Sequence, residues 1–291
     1  LWDGQTGEPL EIFQYGTGIL DIDISPDEKI LTAGREDGFL SVVNLSTRKD
    51  VFIINFSSGP ITTVSFQPGG QWMAVGTKNG DVMTGLSLSG PDHNEEVFNL
   101  AFSADGKWIV SAGADSAARI VKTESGGQYR VVKHDDWVED VAFGPDSSWF
   151  ATVSDDNLVR VIETQTGLEK LRMNHGSYVQ RVEVSPNGHW IISTGYDHTT
   201  RLWDSQTGAL MFEASIEGIG SSLVFSPDGK KIIAGDRDGN ITIWDISLLN
   251  ARAGYINFPE FINKAKFDFA GDWMLINTDD KNLWQIPSDQ L

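Results

Sequence analysis

One unit of about 41 residues, used seven times, constrains this chain more than any other feature. The segments DIDISPDEKILTAGRED, TVSFQPGGQWMAVGTKN, NLAFSADGKWIVSAGAD, DVAFGPDSSWFATVSDD, RVEVSPNGHWIISTGYD, SLVFSPDGKKIIAGDRD and KAKFDFAGDWMLINTDD align on Pro26, Pro68, Ala104, Pro145, Pro186, Pro227 and Phe269, spaced 42, 36, 41, 41, 41 and 42 residues apart. Each alternates apolar and polar residues up to a turn such as Pro-Asp-Gly, resumes with an apolar run, and closes on a second Asp or Gly turn. Alternation with period two buries one face of a strand, and the turn residues supply backbone angles that β-branched residues resist. Short strands at this spacing, with no helical period between them, require an all-β fold of repeated sheets.

The segments SPDGKKIIAGDRDGNITIWD at 226–245 and RLWDSQTG at 201–208 resemble the WD-repeat β-propeller family, and in-register copies extend the resemblance over essentially the whole chain. It implies a seven-bladed β-propeller, four antiparallel strands per blade, forming a single domain over 1–291. The opening LWDGQTG duplicates the Trp-Asp hairpin at 202–208, so residues 1–9 are expected to be the remnant of an upstream repeat. Residues 10–16, LEIFQYG, are expected to close the ring as the outer strand of the last blade, beside KNLWQIP near the C-terminus. The short spacing between Pro68 and Ala104, with MTGLSLSGPDHNEE inside it, predicts a short or missing outer strand in blade two.

Two further registers run through the repeats. Eleven residues after each reference position stand Asp37, Asn79, Asp115, Asp156, Asp197, Asp238 and Asp280; eleven before it, three units carry His93, His134 and His175. Seven after it, the same three carry Ser111, Thr152 and Ser193. A buried His, a turn Asp, a hydroxyl and an indole N–H satisfy one another, an arrangement for which WD-repeat blades are known. Only one unit holds the full set, His175, Ser193, Asp197 and Trp203. Recurrence at fixed offsets makes this a structural network rather than a hydrolytic triad. The GDRDGN turn at 235–240 lacks the distal acidic ligand of a calcium loop, and its Asp238 belongs to the blade register. Trp72, Trp108, Trp149, Trp190 and Trp273, four residues past the reference, are assigned to packing between blades.

Composition narrows the partners. With 41 acidic against 22 basic residues the net charge is -19, which repels phosphate backbones and anionic lipid. Nucleic acid and membrane are therefore not expected as partners, and no apolar run approaches a spanning helix. The absence of Cys excludes disulfides and thiolate metal sites; no metal or cofactor is expected.

Function is sought where residues differ from blade to blade on the face carrying the inter-blade loops. Eight residues before the reference stand Gly18, Pro60, Glu96, Trp137, Tyr178, Ile219 and Phe261; five before it stand Asp21, Thr63, Asn99, Asp140, Arg181, Ser222 and Lys264. Aromatics and Arg are enriched at binding hot spots. Trp137, Asp140, Tyr178, Arg181 and Tyr196, with Phe261 and Lys264 across the channel, form the expected recognition patch. The expected function is that of a non-catalytic scaffold recognising a protein, a peptide or a small ligand. The resemblance further suggests a cytoplasmic sensor or interaction domain in a larger bacterial signalling protein. The alternative is a propeller hydrolase using Asp21, Glu139 and Asp140 at the channel mouth.

Overall fold

The structure, a computed structural model, describes residues 15–56, 58–85, 92–123, 129–247, 251–257, 262–267, 273–278 and 283–287. Its regular structure is entirely β, with seven antiparallel sheets among the described residues. Five have four strands; the second and seventh have three, and every sheet pairs its strands in chain order. In the second sheet the third strand, Val82–Thr84, is three residues long. The place expected for its outer strand, 86–91, lies outside the described residues, as do 1–14, which hold the expected upstream remnant and most of the expected closing strand.

The fifth sheet shows why the sequence folds this way. Its strands are Val179–Val184, Trp190–Gly195, Thr199–Asp204 and Leu210–Ser215. The SPNG turn joining the first two is locked by Ser185: its hydroxyl donates to Asn187 Oδ1 (2.7 Å) and accepts from the Trp190 N–H (2.9 Å). Gly188 follows at φ +73°, a left-handed conformation that glycine adopts without steric cost. The same Ser-to-Asp contact, 2.7 Å each time, recurs at Ser25–Asp27, Ser103–Asp105 and Ser226–Asp228. At Asp27 and Asp228 these hydrogen bonds hold the carboxyl down at about 2. The repeated Ser-x-Asp is thus a turn lock.

Apolar clusters lie between consecutive sheets. Val153 and Val161 of the fourth sheet pack with Val182 and Trp203 of the fifth, and Leu202 of the fifth with Leu223 and Trp244 of the sixth. Trp108, Trp149 and Trp190 pack against the clusters joining their own sheet to the next. Trp72 is 40% exposed.

The first strands, Ile19–Ile24, Ile61–Phe66, Val97–Phe102, Val138–Phe143, Val179–Val184, Gly220–Phe225 and Ile262–Phe267, all contribute residues to one cavity of about 340 Å³. Buried side chains clip these strands together. Asp21 accepts the N–H of its neighbour Ile22 and that of Val64 in the second sheet, both at 2.8 Å. Asp23 does the same with Ile24 (2.8 Å) and Phe66 (2.7 Å). Ser222 Oγ accepts the Ala265 N–H (2.7 Å). Lys264 Nζ reaches Asp21 Oδ1 at 2.5 Å, and Lys266 reaches Asp23, so the seventh sheet is tied to the first.

Candidate functional site

Every first strand carries a β-bulge immediately after its first residue, at Leu20, Thr62, Phe98, Glu139, Gln180, Ser221 and Asn263. A bulge twists the strand and re-aims a side chain. The carbonyl just before the strand accepts an N–H from the turn between strands two and three: Asp155 to Trp137 (3.0 Å), Tyr196 to Tyr178 (3.0 Å), Arg237 to Ile219 (2.9 Å). Both sets of loops therefore share one face. The tyrosine contact leaves no room for a side chain, since a Cβ on Gly195 would stand 2.1 Å from the Tyr178 carbonyl oxygen.

Large aromatics are exposed on that face: Trp137 at 46%, Tyr178 at 50% and Tyr196 at 38%. Tyr178 and Tyr196 meet edge to face with centroids 5.9 Å apart, and Trp137 leans on Phe98 at 5.7 Å. The Arg237 guanidinium lies 5.4 Å over the Tyr196 ring and donates to Gln180 Oε1 (3.0 Å), while Gln180 Nε2 donates to Tyr196 Oη (3.2 Å). Phe98 and Gln180 were not picked out from sequence. Their signal was positional, because the bulge puts the residue six before the reference, not five or eight, at the seam between sheets.

The residue five before the reference belongs to the strand, not to a loop. Asp140 is 4% exposed; its oxygens accept the N–H groups of Val141 (2.8 Å) and Val182 (2.9 Å) and the Asn99 amide. Asp21 and Lys264 are likewise occupied, by the backbone and by each other. Arg181 breaks the pattern: it occupies the clip position and lines the cavity, but its Nη1 donates back to the Gln180 carbonyl (2.7 Å). Gln180, Tyr196 and Arg237 bridge the fifth and sixth sheets there instead. Burial pushes the Glu139 carboxyl up to about 7 against the pull of Arg181, and raises Asp155, beside Asp136 and Asp156, to about 6. Phe261 lies outside the described residues.

The structure brings together His175, Ser193, Asp197 and Trp203. Ser193 Oγ meets His175 Nδ1 (2.9 Å) and accepts from Trp203 Nε1 (2.8 Å), and His175 Nε2 lies 3.4 Å from Asp197. Burial lowers the His175 imidazole to about 4. Arg201 donates to Asp197 (2.7 Å), and the equivalent Arg119 and Arg160 pair with Asp115 (2.6 Å) and Asp156 (2.7 Å). These arginines, each fifteen residues past the reference, were missed in the sequence although the offset repeats. In the sixth sheet the register assignment needs correction. Asp236, 1% exposed, accepts the N–H groups of Gly218 (2.9 Å), Asp238 (2.9 Å) and Asn240 (2.8 Å), so the buried turn carboxylate is not Asp238. With Ile216 at the His position of that unit, no imidazole needs an acceptor. Among the described residues, no group of three or more His, Asp or Glu could hold a metal ion, and no helix is long and apolar enough to cross a membrane.

Repeated antiparallel sheets around a common cavity, with a His–Ser–Asp–Trp network inside one of them, define a propeller-type repeat protein. The model of the WD domain, G-beta repeat, matches residues 49–83, 86–121, 127–163, 168–204 and 213–245. The chain belongs to the WD-repeat family. It is 35% identical over 133 residues to Protein groucho of Drosophila melanogaster, covering 43% of this chain and 18% of that protein. It is 31% identical over 117 residues to U3 small nucleolar RNA-associated protein 12 of Saccharomyces cerevisiae, covering 38% and 12%. WD repeat-containing protein SL1-17 of Schistosoma mansoni is 28% identical over 132 residues, covering 43% and 44%. The chain spans less than half the length of each of these relatives, and all three are eukaryotic, so the expected bacterial parent draws no support from them.

Proposed function

We propose that the chain is a seven-bladed ring closed on itself and that it serves as a non-catalytic module binding a protein or peptide on its loop-bearing face. The observation that carries the binding site is the exposed aromatic cluster of Trp137, Tyr178 and Tyr196, bordered by Arg237 and with Arg181 below it in the cavity wall. Exposed aromatics beside Arg, with rings already held in place by neighbours, lose little freedom on binding and make effective anchors. Lys264 supports the far wall of the cavity through Asp21, and Phe261 stands before that strand in sequence. Ring closure is supported by the convergence of seven first strands on one cavity and by the Asp21–Lys264 and Asp23–Lys266 pairs.

Occupation of both oxygens of Asp21 and of Asp140 by backbone N–H groups supports a binding role over hydrolysis. Relatives of which the chain matches only 18% and 12% support a place within a larger polypeptide, here read as a cytoplasmic signalling protein. The test is to identify partners by cross-linking to the full chain and to compare the wild type with Trp137→Ala/Tyr178→Ala. Both side chains are about half exposed, so the melting temperature should hold while affinity for the cross-linked partner falls about thirtyfold. Unchanged affinity would overturn the site, and turnover of ester, glycoside or peptide substrates would overturn the non-catalytic reading.

A further inference from the structure

The clips that join the first strands follow one rule, and it fails at one seam. Four residues before each reference position stand Ile22, Val64, Leu100, Val141, Val182, Leu223 and Ala265. Six of these N–H groups donate to a side chain five before the reference. Ile22 and Val64 share Asp21, Val141 and Val182 share Asp140, Leu100 uses Asn99 and Ala265 uses Ser222, all at 2.7–2.9 Å. Leu223 pairs with Ala234 as Val182 pairs with Ser193, each after the same bulge, so its N–H points the same way. Among the described residues it meets no side-chain acceptor. The residue that should reach it from the fifth sheet is Arg181, which carries donors alone, and the Ser222 Oγ of its own sheet is taken by Ala265.

The guanidinium in that place is itself incompletely used. Arg35, Arg119, Arg160 and Arg201 each form an ion pair with an aspartate. Arg181 forms none among the described residues, and its one hydrogen bond goes to the Gln180 carbonyl. Arg181 and Leu223 both line the cavity of about 340 Å³, so a guanidinium and a backbone donor open onto the same space.

We propose that this cavity binds a small organic monocarboxylate, whose carboxylate bridges Arg181 and the Leu223 N–H in the place that Asp21 and Asp140 fill at other seams. A planar carboxylate matches the guanidinium fork, and charge-assisted hydrogen bonds of this kind are the strong ones. The surrounding charges limit the ligand to one. Asp21 and Asp23 neutralise Lys264 and Lys266, and Arg181 already offsets the nearby Asp140, so a second negative charge finds no cation left. Glu183 lines the same cavity; burial, with Asp140 nearby, holds its carboxyl up at about 7, so below that pH it does not repel the ligand. The volume lies at the low end for small-molecule sites, and Ala101 and Ala142 offer an apolar wall to a short alkyl tail.

Ligand-observed NMR of butyrate with the full chain at about pH 6 tests this, with succinate, phosphate, chloride and a blocked Gly-Asp-Gly peptide as competitors. Butyrate should bind with a Kd of about 1 mM, at least about tenfold tighter than any competitor. Arg181→Asn removes the guanidinium and offers the Leu223 N–H an amide oxygen, as Asn99 does for Leu100. It should weaken butyrate binding at least about tenfold while keeping the wild-type melting temperature. Arg181→Lys, which keeps the charge without the fork, should weaken binding about fivefold and serves if the first variant does not fold. Absence of butyrate binding, equal affinity for another anion, or equal binding by whichever variant folds overturns the proposal. Binding of the peptide without binding of butyrate overturns the free acid and assigns the notch to an acidic side chain of a partner. These titrations need no partner on the aromatic face, so failure here and failure of the proposed binding site are read separately.

Discussion

Ser193 and Thr152 occupy the same position in consecutive repeats, yet their hydroxyls have different fates. Ser193 serves both His175 and Trp203, whereas Thr152 Oγ1 and the neighbouring His134 Nε2 are buried without a hydrogen-bond partner. Ser193→Ala should cost about 1–3 kcal/mol, since it strands a buried indole N–H and an imidazole nitrogen. Thr152→Val, which exchanges an unpartnered hydroxyl for a methyl, should be neutral or stabilising. Urea titrations of both variants check the contrast, and equal losses would show that the hydroxyls are equivalent. The network was legible in the sequence because polar residues recurring at fixed offsets across strands have to meet. Its arginines were not, because Arg in a strand of an acidic chain reads as a solvated residue until burial shows otherwise: Arg160 is 2% exposed.

At the scale of the element, strands and turns were readable from alternation and from Ser-x-Asp punctuation. What stayed hidden was the bulge, because a one-residue insertion into a ladder leaves no mark in an alternating pattern. It precedes Asp140 and Arg181, which pair with Val153 and Thr194 inside their sheets. Asp140→Ala should therefore act on stability, removing acceptors from Val141, Val182 and Asn99 at a cost of about 3 kcal/mol, with partner binding otherwise unchanged. Chemical denaturation beside a binding titration checks this, and a variant of full stability with lost affinity would return Asp140 to the recognition surface. Gly195→Ala should displace the Tyr178 carbonyl and loosen the paired tyrosines; fluorescence-detected melting should show a drop of about 5 °C or more.

Across the whole molecule, two readouts address closure and charge. A double-mutant cycle on Asp23→Ala and Lys266→Ala should give a coupling above about 1 kcal/mol if the first and seventh sheets are joined, and none if they part in solution. Glu183 faces the cavity, and burial, with Asp140 nearby, raises its carboxyl to about 7. In the unfolded chain the value is about 4.3. The folded state thus holds the proton more tightly, so ionisation costs stability at high pH and the cost disappears as pH falls toward the unfolded value. Glu183→Gln should raise the melting temperature by about 3 °C at pH 8 and leave it unchanged at pH 4.5. His134 and His175, lowered by burial to about 3 and about 4, act in the opposite sense: their contribution is complete above about 6.5 and is lost as pH falls. Comparing variant with wild type at each pH separates the two.

The ties between Asp21 and Lys264 and between Asp23 and Lys266 join residues 243 positions apart. During synthesis at about 5–20 residues per second, the first carboxylates wait roughly 12–50 s for their lysines to be made. Each sheet can pair its own strands within that interval, but in the proposed closed ring the flank of the first stays uncovered until those lysines are in place. Vulnerability to misassembly is therefore concentrated at one moment of biogenesis, and a helper that shields the flank of the first sheet would be needed only until the last inner strand emerges.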